Sequence, residues 1–216
     1  LTVLIASPFF AVYMLKDLGF SYTKWIIVTI SSSLASLLFM PLWGKFADQY
    51  GNLKVVKLCS FLIPLVPLLW LVTYFNIPYV FFYLIIIETL SGIVFAGFSL
   101  SVGNFIYDAV TRQRMALCVA YSNMLQGIGI FIGASLGGLI SSTSFSLFTL
   151  SPLLTIFLLS GVLRLVVAVL FSSSVNEVKD VKRFGISEAK EKFGAITPIK
   201  FIKSLEINVN PKQAFS

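Results

Sequence analysis

The chain has 216 residues, 57% of them hydrophobic and 12% charged, with a formal net charge of +7 and no histidine. Soluble globular domains carry about twice that charged fraction, so ionic groups are too few to cover a water-soluble fold, and an all-α polytopic membrane protein is expected. The lack of histidine removes the commonest metal ligand and the usual general base near neutral pH, and the positive charges, spread over loops and tail without an aromatic-interleaved basic face, suit lipid headgroups better than nucleic acid.

A helix crossing the hydrocarbon core needs about 20 apolar residues. The first segment, Leu1 to Leu15, covers only ~22 Å at 1.5 Å per residue. It opens inside an apolar run without an initiating Met, so a first helix that has lost its beginning is expected. The basic n-region and small-residue cleavage site of a signal peptide are not seen around it. Lys24 and Lys45 bracket a second uncharged run, with Trp25 and Trp43 at its ends, where interfacial aromatics belong. From Leu58 to Ile87 no charge occurs, but Asn76-Ile77-Pro78 breaks the run. A third helix should therefore end near Phe75. A fourth should start near Tyr79 and continue through Glu88 to about Tyr107.

Between Arg114 and Arg164 lie 49 uncharged residues, too many for one span. Ser141–Ser144 divides them into a fifth helix at about 116–140 and a sixth at about 147–171. Residues 1–172 thus read as a transmembrane domain of six helices, the first truncated, and 173–216 as a basic tail. That tail holds eight of the 16 Lys/Arg and five of the nine Asp/Glu. Ile199, Ile202 and Leu205 recur there at helical spacing, which fits an interfacial helix or a disordered tail with a transient helix. Cys59 and Cys118 lie in apolar runs and read as buried thiols, with no disulfide framework or zinc cluster.

Basic residues in short loops set orientation. Lys45, Lys54, Lys57, Arg112, Arg114 and the tail fall on one side; Lys16 and Lys24 fall on the other. The loops 44–57 and 108–115 and the tail are therefore expected to be cytoplasmic. The protein is read as integral to the plasma membrane.

The stretch Pro41–Lys54, PLWGKFADQYGNLK, concentrates two lysines, an aspartate and two glycines. Gly44 and Gly51 permit a tight turn with close backbone approach, and Asp48 suits a helix N-terminus or a cationic partner. The plainer reading is a solvated loop that fixes topology. Gly129, Gly133 and Gly137 recur every fourth residue in the fifth helix and form one face for close packing.

The pattern Gly44-x-x-x-Asp48-x-x-Gly51-x-x-Lys54, between the second and third helices, resembles the cytoplasmic signature loop of the major facilitator superfamily. Gln49 and Asn52 stand where that family favours arginine. The run Gly129-Ile-Phe-Ile-Gly133-Ala-Ser-Leu-Gly137-Gly138 is similar to the family's glycine-rich fifth-helix motif, with Ala134 where proline is common. The resemblance spans residues 1–172. It implies one six-helix half of a secondary transporter, with the other half of the same protein as partner. It also implies a small-molecule substrate, a coupling proton or sodium ion, and no enzymatic activity. The C-terminal half is favoured, because the fourth helix has Glu88 and Gly92 where the first half often has a basic residue and glycine; the N-terminal half is the alternative. Under the resemblance, Gly44, Asp48, Gly51 and Lys54 form a conformational latch.

Glu88 is the one acid placed deep in the bilayer, ~14 Å along its helix from Tyr79. It reads as a substrate ligand or proton-coupling group, or else as a carboxyl bonded to a neighbouring helix. Asn123 and Gln126, three residues apart, can offer amides to a polar substrate or bond between helices. Tyr121 and Asn104 pose the same choice more weakly. Arg164, about two turns from its helix end, is expected to snorkel to the headgroups, with a pair to Asp108 or Glu88 as the alternative. An intramembrane enzyme would need a clustered nucleophile and base or metal ligands, which are not seen. A non-transporting scaffold or receptor with the same fold is the remaining alternative.

Overall fold

A computed structural model describes residues 2–75, 78–111, 113–142 and 151–174. Its helices all fall within one compact unit. Most of the basic tail, Arg112, Asn76 and Ile77 of the expected break, and Thr143 and Ser144 of the Ser141–Ser144 divider lie outside the described residues.

Helix α1 covers Thr2–Val12 and passes directly into a wide π turn, Tyr13–Asp17. Gly19, with φ +62°, then reverses the chain. Ser21 caps α2, its Oγ accepting from the Lys24 N–H at 3.4 Å, and α2 runs unbroken from Tyr22 to Tyr50. Gly51 alone separates it from α3, Asn52–Leu62. The third span then changes character at Ile63-Pro64, because proline has no N–H for the helical ladder. It continues as α4, Leu65–Trp70, and a 3₁₀ segment, Leu71–Phe75. Carbonyls loosened by this irregularity find side-chain donors. Tyr83 Oη donates to Leu69 O at 2.9 Å, and Thr73 Oγ1 donates to Trp70 O at 2.7 Å. With its proton committed there, Thr73 Oγ1 accepts from the Tyr13 hydroxyl at 2.8 Å, which pins the π turn to the third span.

Helix α5, Val80–Ala109, follows Tyr79, itself in the left-handed region at φ 66°. Helix α6 is Met115–Ser142. Helix α7 is Pro152–Ser174; Ser151 is non-helical, its Oγ accepts from the Leu154 N–H at 3.4 Å, and proline occupies the first helical position. The sixth helix therefore starts five residues later than its uncharged run suggests.

Five helical stretches are long and apolar enough to cross a membrane: Tyr22–Tyr50, Asn52–Phe75, Val80–Asp108, Met115–Ile140 and Pro152–Phe171. Helix α1, with 11 residues, is not one of them. Packing is tightest where glycine removes a side chain. A Cβ on Gly92 of α5 would run into the backbone carbonyl of Ser32 on α2. One on Gly97 would meet the Trp43 ring at 2.6 Å, and Trp43 Nε1 donates to Ile93 O at 2.8 Å. At Gly44 the nearest atom would be Leu100 Cδ2 at an ordinary 3.8 Å, so close approach does not require glycine there.

Two apolar clusters divide the interior. One surrounds Trp70, with Phe10, Tyr13 and Phe157; Phe10 stacks on Phe157 at 4.5 Å and lies 4.7 Å from Trp70. The other joins Trp43, Phe46, Tyr50, Val55 and Cys59 near the α2–α3 junction. Outside these clusters, long rows of leucine, isoleucine and phenylalanine on α2 and α6 face outward, including Leu37, Leu38, Leu125 and Phe131. A surface of that kind suits lipid or another apolar helix face rather than water.

Candidate functional site

Where the two clusters meet, a cavity of about 420 Å³ opens. One face of α1, Val3, Ser7, Phe10 and Ala11, forms a wall that Met14 of the π turn extends, since residues three and four apart share a helix face. Trp25 and Thr29 come from α2, Val66 from α4, and Glu88, Ser91 and Phe95 from α5. Arg164 of α7 completes the lining.

Glu88 lies ~12 Å along α5 from Val80. Its carboxyl takes a hydrogen bond from Ser32, and the indole N–H of the fully buried Trp70 lies beside it without closing one of good geometry. Glu88 is thus both bonded to a neighbouring helix and part of a cavity wall. The two readings of this residue are not exclusive.

Arg164 departs from expectation. It does not snorkel. Its side chain is 4% exposed, and it sits 12 residues into α7, ~18 Å from the helix start. Nη2 donates to Val3 O at 2.9 Å, while Nε finds no acceptor. One turn earlier, Ser160 Oγ donates to Thr2 O at 2.8 Å. Gly161 lets α7 close on Leu68, where a Cβ would meet Cδ2 at 2.8 Å. Helix α7 therefore presents its arginine inward, toward α1.

A second cavity, of about 610 Å³, lies on the other side of Arg164, lined among others by Leu53, Ser60, Ile63, Phe95, Ser99 and Gln126. Val3, Phe95 and Arg164 line both cavities. Gln126 therefore joins the second cavity rather than Glu88's, and Asn123 is exposed and lines neither. Tyr121 is likewise exposed.

Gly44 and Asp48 lie in the last two turns of α2 and Lys54 in the first turn of α3, so this signature is a one-residue joint between helices and not an open loop. Asp48 is exposed, whereas Gly51 is buried at φ 97°. Asn52, at one of the arginine positions, donates Nδ2 to Asp108 Oδ2 at 2.8 Å. A hydrogen bond from an uncharged amide to a carboxylate thus ties the start of α3 to the end of α5. Gly129, Gly133 and Gly137 are buried along a helix whose other faces are largely exposed. A Cβ on Gly137 would strike the Ile5 carbonyl and the Phe9 ring of α1.

Among the described residues, no group of histidine, cysteine, aspartate or glutamate is clustered for a metal ion. The family model of the Major Facilitator Superfamily matches residues 1–207. The chain belongs to this superfamily. The match runs past Ser172, so the likeness is longer than the residues 1–172 over which the motifs suggest it. Comparison with curated proteins and with solved structures gives no significant match. Membership makes the protein a membrane transporter of the major facilitator type, in a family of transporters rather than enzymes, whose members bind small-molecule substrates.

Missing from the sequence-derived site are Arg164 and the cavity hydroxyls of Ser7, Thr29 and Ser91. One signal was available for the arginine. Counting from the Ser151-Pro152 cap puts it near the middle of α7, beyond easy reach of either surface.

Proposed function

We propose that the chain is one six-helix half, the C-terminal one, of a secondary active transporter that moves a small solute across the plasma membrane by alternating access. The 44–57 segment, the 108–115 loop and the tail face the cytoplasm in this reading, and lipid surrounds the exposed apolar rows. Glu88 serves as the substrate or coupling group, with a proton or sodium ion as the coupled species. Gln126 contributes from the adjoining cavity, and Asn123 lies on the surface turned to the other half. Gly44, Asp48, Gly51 and Lys54 act as the latch in one conformational state.

The observation that carries the reading is the position of Glu88. A carboxyl at mid-bilayer costs several kcal/mol unless it is paired, protonated or facing water, and this one lines a cavity that water-sized molecules can occupy. Membrane transporters place their binding sites near the midplane in this way. The decisive measurement is solute uptake into proteoliposomes by the full-length protein and its Glu88→Gln variant. A loss of uptake of tenfold or more, or an altered pH dependence, is expected. Near-normal uptake with unchanged pH dependence would rule out the assignment.

A further inference from the structure

We propose that Arg164 is the anion-docking residue of the transport cavity, and that the transported solute carries a carboxylate on an apolar body. The inference rests on the transporter reading above and deepens it by naming the substrate class.

Arg164 is buried at the centre of α7 and forms the partition between two cavities. One amino group is committed to the Val3 carbonyl, and Nε–H has no acceptor. Among the described residues no carboxylate pairs with it: the only described acid in either wall is Glu88, which bonds instead with Ser32. A guanidinium largely withdrawn from solvent without a counter-charge is unfavourable, whereas its planar fork matches the geometry of a carboxylate. A bound anion reaching the cavity-lining part of the guanidinium would supply the missing charge.

The remaining wall narrows the solute further. Phe10, Trp25, Val66 and Phe95 are apolar surfaces, with the hydroxyls of Ser7, Thr29 and Ser91 among them. A sugar would bring more hydroxyls than this wall has polar partners for, and those left unpaired are costly. A compact apolar body with one charged end meets no such penalty. Its negative end belongs at Arg164, and the Glu88 end takes a hydrogen-bond donor or the coupling cation.

The test uses the full-length protein in liposomes, with native cysteines including Cys59 and Cys118 replaced and Ser7→Cys as a reporter in the cavity wall. Its reaction rates with an anionic sulfonatoethyl and a cationic trimethylammonium-ethyl methanethiosulfonate give the sign of the local field. The anionic-to-cationic rate ratio is expected to fall about tenfold in Arg164→Gln and to be largely retained in Arg164→Lys. Benzoate should slow labelling, and benzamide, its neutral counterpart, should not. That comparison needs no change at Arg164, so it decides the matter even where Arg164→Gln does not fold. A ratio indifferent to Arg164→Gln, or equal protection by benzamide and benzoate, overturns anion docking while leaving the transporter reading intact. A Ser7→Cys reporter unreactive from both sides removes the accessible cavity, and both proposals with it.

Discussion

Arg164 Nη2 donates a 2.9 Å hydrogen bond to the carbonyl oxygen of Val3, so the middle of α7 holds the opening turn of α1. Ser160 Oγ grips Thr2 O one turn away. These two bonds fix the helix whose face, from Val3 to Met14, forms a cavity wall. The same arginine therefore both positions α1 and borders the space in front of it.

The contact between α2 and α5 depends on a missing methyl group. Gly92→Ala would push a Cβ into the Ser32 carbonyl, a backbone atom that cannot rotate away. Overpacking of this kind costs about 1–3 kcal/mol, only partly offset by the better helix propensity of alanine. A lower thermal midpoint in detergent is expected. Gly103→Ala, where a Cβ meets nothing within 4 Å, should leave the midpoint unchanged or raise it. Equal midpoints for the two variants would show that this packing is wrong.

Adjacent glycines on α6 offer a sharper contrast. Gly137 abuts Ile5 O and Phe9 of α1, while Gly138 faces open space. Gly137→Ala should destabilise by about 1–3 kcal/mol, and Gly138→Ala should be neutral or gain up to ~1 kcal/mol. Melting of both variants by fluorescence-detected size exclusion checks this; destabilisation by Gly138→Ala of the same size would remove α1 as the partner of the glycine face.

Asp48 is exposed in the last turn of α2, where a partner from another helix bundle could reach it. If it latches the two halves, Asp48→Ala shifts the balance between inward-open and outward-open states. Cysteine accessibility from the two membrane sides should change in opposite senses, several-fold in rate, as expected when ~1 kcal/mol of coupling is removed. Unchanged labelling from both sides would count against the latch.

Much of this architecture could be read from the chain. Predominantly apolar runs of span length located α2, the third span, α5, α6 and α7, because a membrane-crossing helix needs about 20 such residues. The start of α5 just after Tyr79 and the glycine face of α6 were equally visible. The third span was harder: Pro64 and Pro67 were in plain view, but one uninterrupted apolar run does not show that its helix breaks at Ile63-Pro64 and ends in a 3₁₀ turn. Arg164 was harder still. The Ser151-Pro152 cap gives its depth, but a helix apolar on all sides has no preferred inner face, so the sequence does not say which neighbour the arginine turns toward. The tight approach of Gly161 to Leu68 and the carbonyl of Val3 decide that. Glu88 was legible by depth, but not its bond to Ser32, which depends on a partner 56 positions away in the chain.

The joint at Gly51 has a mechanical consequence. With one residue between α2 and α3, the connection has no slack, and the two rods share a pivot set by two torsion angles. Any swing of α2 must either drag α3 or be absorbed at that single Cα, whose φ of 97° an ordinary side chain would resist. Gearing of this kind would let a small tilt at one end of the protein become a sizeable stroke tens of ångströms away.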